Sequence, residues 1–125
     1  MKNSITIAVD AMGGDNSPQK IIDGIEQHCR NSKGIYYKIF GNKNLIEPII
    51  KNKKIEKSVF EIIHTEEKIK GEDSAFTAAK RGKKTSMWLA IESVKNKTSD
   101  IVISAGNTGA LLVIAKLNLK MIENI

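Results

Sequence analysis

Two short loops hold the residues in this chain best suited to chemistry. One, Ser104-Ala105-Gly106-Asn107-Thr108-Gly109, follows the apolar run Ile101-Val102-Ile103 and leads into another that begins at Ala110. The other, Asp10-Ala11-Met12-Gly13-Gly14-Asp15-Asn16, follows the run Ile5 to Val9. A small-residue loop between a strand and a helix brings the N–H groups of the helix start to the carboxyl end of the strand. Phosphates and carboxylates bind well there. In the Ser104–Gly109 loop, glycines let the backbone come close to an anion, and Asn107 and Thr108 either donate to it or cap the helix. In the Asp10–Asn16 loop, Gly13 and Gly14 permit positive φ, and Asp10 stands where the strand ends, placed to orient a substrate or hold a cation. Each loop also has a plainer reading. Asn107 or Thr108 then only caps a buried helix, and Asp10 and Asp15 only accept from the turn backbone. Neither loop is a P-loop or a GxGxxG turn. Two such loops on one rim of a parallel sheet favour a site over a pair of turns.

Other reactive side chains are weaker candidates. His64 ends a strand on the same rim and is a candidate rim residue. His28 and Cys29 lie on or beside the apolar stripe of the first helix and read as packed structural residues. Glu66 and Glu67 are adjacent, need not face one another, and read as solvated. The run Lys80-Arg81-Gly82-Lys83-Lys84 suits an acidic partner or a phosphorylated ligand, or is simply a solvated basic turn. Met87 and Trp88 read as core.

Composition narrows the classes. The chain has 125 residues, is 41% hydrophobic and 27% charged, and carries a net charge of +6. That describes one globular domain at most, with a modest core. Only Arg30 and Arg81 among the twenty basic residues are arginine, and aromatics make up 5%. Phosphate forks favour arginine and base stacking needs aromatics, so nucleic acid is not an expected partner. The single cysteine excludes an internal disulfide and a CxxC metal site, and no metal is expected. No signal-peptide segment opens the chain and no apolar stretch is long enough to span a bilayer, so the expected location is cytoplasmic.

Periodicity then supplies the elements that must position the loops. Strands are predicted at Ile5–Val9, Ile35–Phe40, Val59–Ile63 and Ile101–Ile103, the last ending on Ser104. Ser17 reads as the cap of a first helix with Pro18 at its first position, followed by Ile21, Ile22 and Ile25. Leu45, Ile46, Ile49 and Ile50 mark a second helix, in which Pro48 falls early. A short helix spans Ser74–Arg81. A longer one, capped by Thr85 or Ser86, aligns Met87, Ile91 and Val94. The last helix spans Gly109–Ile122 and is apolar almost all round, so it expects further structure to pack against. Four βα units in a row predict an α/β fold, a mainly parallel sheet with helices on both faces.

Three segments resemble a known family in order and spacing. They are Val9-Asp10-Ala11-Met12-Gly13-Gly14-Asp15, Arg81-Gly82-Lys83-Lys84-Thr85-Ser86-Met87-Trp88-Leu89-Ala90, and Val102-Ile103-Ser104-Ala105-Gly106-Asn107-Thr108-Gly109-Ala110-Leu111. The family is the bacterial phosphate acyltransferases of phospholipid synthesis, and the resemblance runs from Ile5 to about Ile122. It implies transfer of a fatty acyl group from acyl carrier protein to inorganic phosphate, without an organic cofactor. It also implies a three-layer α/β/α sandwich like those of phosphate acetyltransferases and isopropylmalate-dehydrogenase-like proteins. Homodimers and peripheral contact with the inner face of the membrane come with it. Under this resemblance Asp10, Gly13, Gly14, Asp15, Asn16, Ser104, Gly106, Asn107, Thr108 and Gly109 are the expected phosphate or substrate residues. Lys83, Lys84 and Ser86 become carrier-protein or phosphate contacts, and no catalytic residue is assigned. Two departures stand out: Ala75 replaces a usual proline, and members are much longer than this chain. The chain is therefore expected to be the amino-terminal part of a truncated domain, inactive unless a companion fragment completes it. A phosphate-acetyltransferase-like enzyme using a coenzyme A thioester is one alternative, which the Asp-Ala-Met-Gly-Gly-Asp loop disfavours. A non-catalytic module binding the carrier or phosphate is the other.

Overall fold

A computed structural model describes residues 4–80 and 84–119. Its strands are β1 (Ile5–Asp10), β2 (Ile35–Gly41), β3 (Phe60–His64) and β4 (Ile101–Ser104). Its helices are α1 (Gln19–Asn31), α2 (Lys43–Ile50), α3 (Ala75–Lys80), α4 (Ser86–Lys95) and α5 (Thr108–Asn118), with a 3-10 turn at Lys57–Val59. The strands form one parallel sheet in the order β3-β2-β1-β4.

Alternation along β1 sorts the layers. Ile7 and Val9 face α1 and α2, meeting Ile22, Ile25, Ile46 and Ile50 together with Tyr37 and Ile39 of β2. Ala8 faces the other way, with Phe40 and Val102, toward Leu89 and Ala90 of α4. Met87, Trp88 and Ile91 of α4 then pack on Ile69 and on Ala110 and Ile114 of α5. The expected α/β arrangement, helices on both faces of a parallel sheet, is present. Ile69 shows that the crossover between β3 and α3, which looks merely polar in sequence, sends one side chain into this second core.

Helix starts differ from expectation in instructive ways. Ser17 does not cap α1: its hydroxyl donates to the Gly13 carbonyl, and Pro18 occupies the cap position without a side-chain bond. Holding the Gly-Gly loop takes the hydroxyl that would have capped the helix. Pro48 lies deeper in α2 than its sequence suggests. Asn42 starts that helix at Lys43 by accepting from the Asn44 N–H at 3.0 Å. Thr85, not Ser86, caps α4, its Oγ1 accepting from the Trp88 N–H at 3.2 Å. Strand and helix bounds otherwise match to within a residue or two, except that α5 stops at Asn118 with Leu119 already extended, short of the expected Ile122; Arg81, the expected end of α3, and residues 120–122 lie outside the described residues.

A buried cap is worth about 1 kcal/mol. Thr85→Ala and Thr85→Ser both lose the buried methyl group, but only Thr85→Ala also loses the cap, so Thr85→Ala is expected to be less stable than Thr85→Ser by about 1 kcal/mol in urea titrations. An unchanged Thr85→Ala would contradict the cap.

Candidate active site

Parallel register places Asp10 beside Ser104 at the carboxyl ends of β1 and β4. Both side chains fall on the sheet face that carries α4, whose first residue is Ser86. The three meet. Asp10 is 2% exposed. Its Oδ1 accepts from Ser86 Oγ at 2.6 Å and from the Met12 N–H at 3.1 Å. Its Oδ2 accepts from Ser104 Oγ at 2.8 Å. Ser104 Oγ in turn accepts from the Gly106 N–H at 3.2 Å. A buried carboxylate is tolerated only with such a set of donors. The plainer reading of Asp10 is present, since it accepts from its own turn, and it fixes two other segments as well.

Above this network the two glycine loops press backbone on backbone. A Cβ on Gly13 would come within 2.8 Å of Asp10 Oδ2 and 2.9 Å of Gly106 Cα. Gly14 adopts φ 86° and would bring a Cβ to 2.8 Å from the Ala105 carbonyl oxygen. Contact this close needs residues without side chains.

The loops floor an open cleft of about 760 Å³ lined by Met12, Gly14, Asp15, the segment 68–72 and residues 105–109. Asn107 caps α5, its Oδ1 accepting from the Ala110 N–H at 3.0 Å. The same amide donates through Nδ2 to the carbonyls of Lys70 at 3.3 Å and Asp73 at 2.5 Å. One side chain therefore ties the helix start to the opposite wall. The first helical bond in α5 runs from Leu111 N–H to the Asn107 carbonyl, so the N–H groups of Thr108 and Gly109 have no acceptor within the helix. Both residues line the cleft.

Gly14, Asp15, Gly106, Asn107, Thr108 and Gly109 thus share the cleft, and Asp10, Gly13 and Ser104 lie beneath it. Asn16 stands apart, at φ 60°, with its carbonyl accepting from the Lys20 N–H. Ser86 is buried on Asp10 rather than presented at the surface. Lys84 is exposed, its carbonyl accepting from Thr65 Oγ1, and Lys83 lies outside the described residues. His64 is not on the cleft: its Nδ1 accepts from the Lys43 N–H at 3.0 Å, at the start of α2. His28 bonds the Tyr37 hydroxyl at 2.5 Å, and burial, with Cys29 nearby, pushes the Tyr37 phenol up.

Two cleft residues escaped sequence reasoning. Lys68 and Lys70 alternate with buried Ile69 on the far wall of the cleft, which the start of α5 also lines with the positive end of its dipole. Asp15 and Glu72 on the same walls keep the cleft from being uniformly basic. The Lys-Ile-Lys-Gly alternation was the available signal. Among the described residues, no group of three or more His, Cys, Asp or Glu could hold a metal ion.

Removing the carboxyl group leaves two hydroxyls and one N–H without their acceptor. Asp10→Ala is expected to cost about 3 kcal/mol in denaturant unfolding, and Gly13→Ala about 2 kcal/mol through overpacking. Wild-type stability in Asp10→Ala would refute the network.

Known proteins agree on one assignment. The family model described as "Fatty acid synthesis protein" matches residues 5–125. A phosphate acyltransferase of Pelagibacter ubique is 65% identical over 125 residues, covering all of this chain and 37% of that protein. That of Parvibaculum lavamentivorans is 41% identical over 126 residues, covering all of this chain and 35% of its own length. One from Streptococcus thermophilus is 48% identical over 106 residues, 85% of this chain and 30% of that protein. The chain spans about a third of the length of these curated relatives. With its glycine loops, buried aspartate and serines all inside the matched region, the chain belongs to the fatty acid synthesis protein family.

Proposed function

We propose that this chain forms the anion-binding part of a phosphate acyltransferase that moves a fatty acyl group from acyl carrier protein to inorganic phosphate. The observation that carries the reading is the cleft itself. There the open Thr108 and Gly109 N–H groups, Lys68 and Lys70 border one space, over a floor held by Asp10. The similarity to phosphate acyltransferases supports it.

In the proposed reaction a phosphate oxygen attacks the thioester carbonyl carbon and the C–S bond breaks. The carrier leaves as a thiolate that takes up a proton, and acyl phosphate remains. Phosphate is a poor nucleophile until it is held and oriented, and the carbonyl oxygen becomes negative as the tetrahedral intermediate forms. Lysine side chains and the helix N–H groups serve the first need, and N–H groups in the same cleft serve the second. Exposed Lys84, with Lys83 beside it in sequence, suits the acidic carrier protein. A cytoplasmic homodimer in peripheral contact with the membrane belongs to the same proposal. Among the described residues, no helix is long and apolar enough to cross a membrane.

Titrating the ¹⁵N-labelled chain with inorganic phosphate is expected to shift the Thr108 and Gly109 amide resonances. Lys70→Ala is expected to weaken that binding about tenfold, or ~1.4 kcal/mol. Silent resonances in the cleft would rule the site out. Given acyl carrier protein thioester and phosphate, the 125-residue chain alone is expected to form no acyl phosphate. Product from the isolated chain would overturn that expectation of inactivity.

A further inference from the structure

One side chain in the cleft is engaged at both ends. Asn107 Oδ1 accepts from the Ala110 N–H and caps α5. Its Nδ2 donates into three carbonyls, those of Lys70 at 3.3 Å, Gly71 at 3.4 Å and Asp73 at 2.5 Å. The amide carries two N–H hydrogens, and with three acceptors converging on them it has no donor left for a ligand. The cap requires the oxygen toward the helix and the carbonyls require the nitrogen toward the turn, which fixes how the amide is oriented. Asparagine, aspartate and serine cap helices about equally well. Of the three, only asparagine also offers N–H groups from the far end of its side chain.

Those carbonyls belong to a turn that closes on itself. The Lys70 N–H donates to Asp73 Oδ2 at 2.9 Å, and the Asp73 N–H donates to the Lys70 carbonyl at 3.1 Å. Neither bond fixes where the turn stands relative to α5. Ile69, buried in the core with Met87 and Trp88, anchors the chain just before it, and α3 packs on α5 just after it. Between these anchors Gly71 and Glu72 are exposed, and a Cβ on Gly71 would meet nothing within 4 Å. Packing does not hold the tip of the turn. The Asn107 amide does, and the wall it holds carries Lys68 and Lys70.

We propose that Asn107 is a positioning residue whose amide latches the Lys70–Asp73 turn to the start of α5, setting the distance between the lysine wall and the Thr108 and Gly109 N–H groups. The anion meets the lysines and the helix N–H groups, while the Asn107 side chain stays out of its contacts. Attraction between a lysine and a phosphate falls with distance and is screened by water, so a wall that drifts loses affinity without losing charge. The assignment rests on the phosphate reading for its ligand, whereas the latch itself rests on the three carbonyl contacts.

Asn107→Ser keeps a capping oxygen and removes the donors. In the ¹⁵N-labelled chain this variant is expected to lower the heteronuclear NOE of Gly71 and Glu72, while hydrogen exchange at the Ala110 N–H stays at the wild-type rate. Its affinity for inorganic phosphate is expected to fall about tenfold, as in Lys70→Ala. The double variant is expected to bind little more weakly than either single one, because the latch acts through that lysine. A loss of about a hundredfold in the double variant would mean that Asn107 touches phosphate independently, and would overturn the assignment. Wild-type NOE values or wild-type affinity in Asn107→Ser would overturn it as well. Asn107→Asp, which also caps and also lacks the donors, supplies the NOE reading if the serine variant does not fold. A wild-type chain that ignores phosphate overturns the phosphate reading alone, and the NOE values then decide the latch.

Discussion

Taking the Asp10 carboxyl group out of water at the end of β1 obliges the surrounding chain to supply donors, because an unpaired group there would cost several kcal/mol. Those donors come from three stretches far apart in sequence: the Met12 N–H in its own turn, Ser86 at the start of α4, and Ser104 at the end of β4. Satisfying Asp10 therefore brings the first glycine loop, the β3–β4 crossover and the second glycine loop to one point. The cleft is the space left above that junction. Its floor is narrow because Gly13, Gly14, Ala105 and Gly106 are small enough to touch through their backbones.

Much of this layout is legible in the residues, and the limits have physical causes. Strand-and-helix alternation follows from the periodic isoleucines and from Thr85 and Asn107 at helix starts. The two loops stand out because strand, small polar residues and helix follow one another with the right chemistry. What a linear reading misses are competitions for a single group. Ser17 looks like a cap, yet the Gly13 carbonyl takes its hydroxyl. Ser86 looks like a surface residue at the end of a basic run, yet its hydroxyl is drawn inward to Asp10. Lys68 and Lys70 look like part of a solvated crossover until Ile69 is buried between them and turns the segment into a wall. Each of these outcomes depends on a partner many residues away, which local pattern does not encode.

Proximity along the chain was equally misleading in the other direction. His64 shares the sheet's carboxyl rim with both loops, yet it spends its Nδ1 on the α2 start two strands away from β4. A rim is wide enough that residues at the ends of β3 and β4 serve different neighbours. The site is built by the two central-to-edge strands that are in register, and by whichever helix crosses above them.

The pairing of Asp10 with Ser104 has a consequence for how the sheet assembles. Side chains alternate between faces, so sliding β4 by one residue along β1 would turn Ser104 to the opposite face and leave Asp10 short of a donor in a dry interior. Ile101 and Ile103 are half-exposed in the described fold, so apolar burial alone discriminates weakly against that slip. The polar contact does so strongly. The group that organises the cleft also acts as a checkpoint on strand alignment, and a misregistered chain would lose its fold and its cleft together.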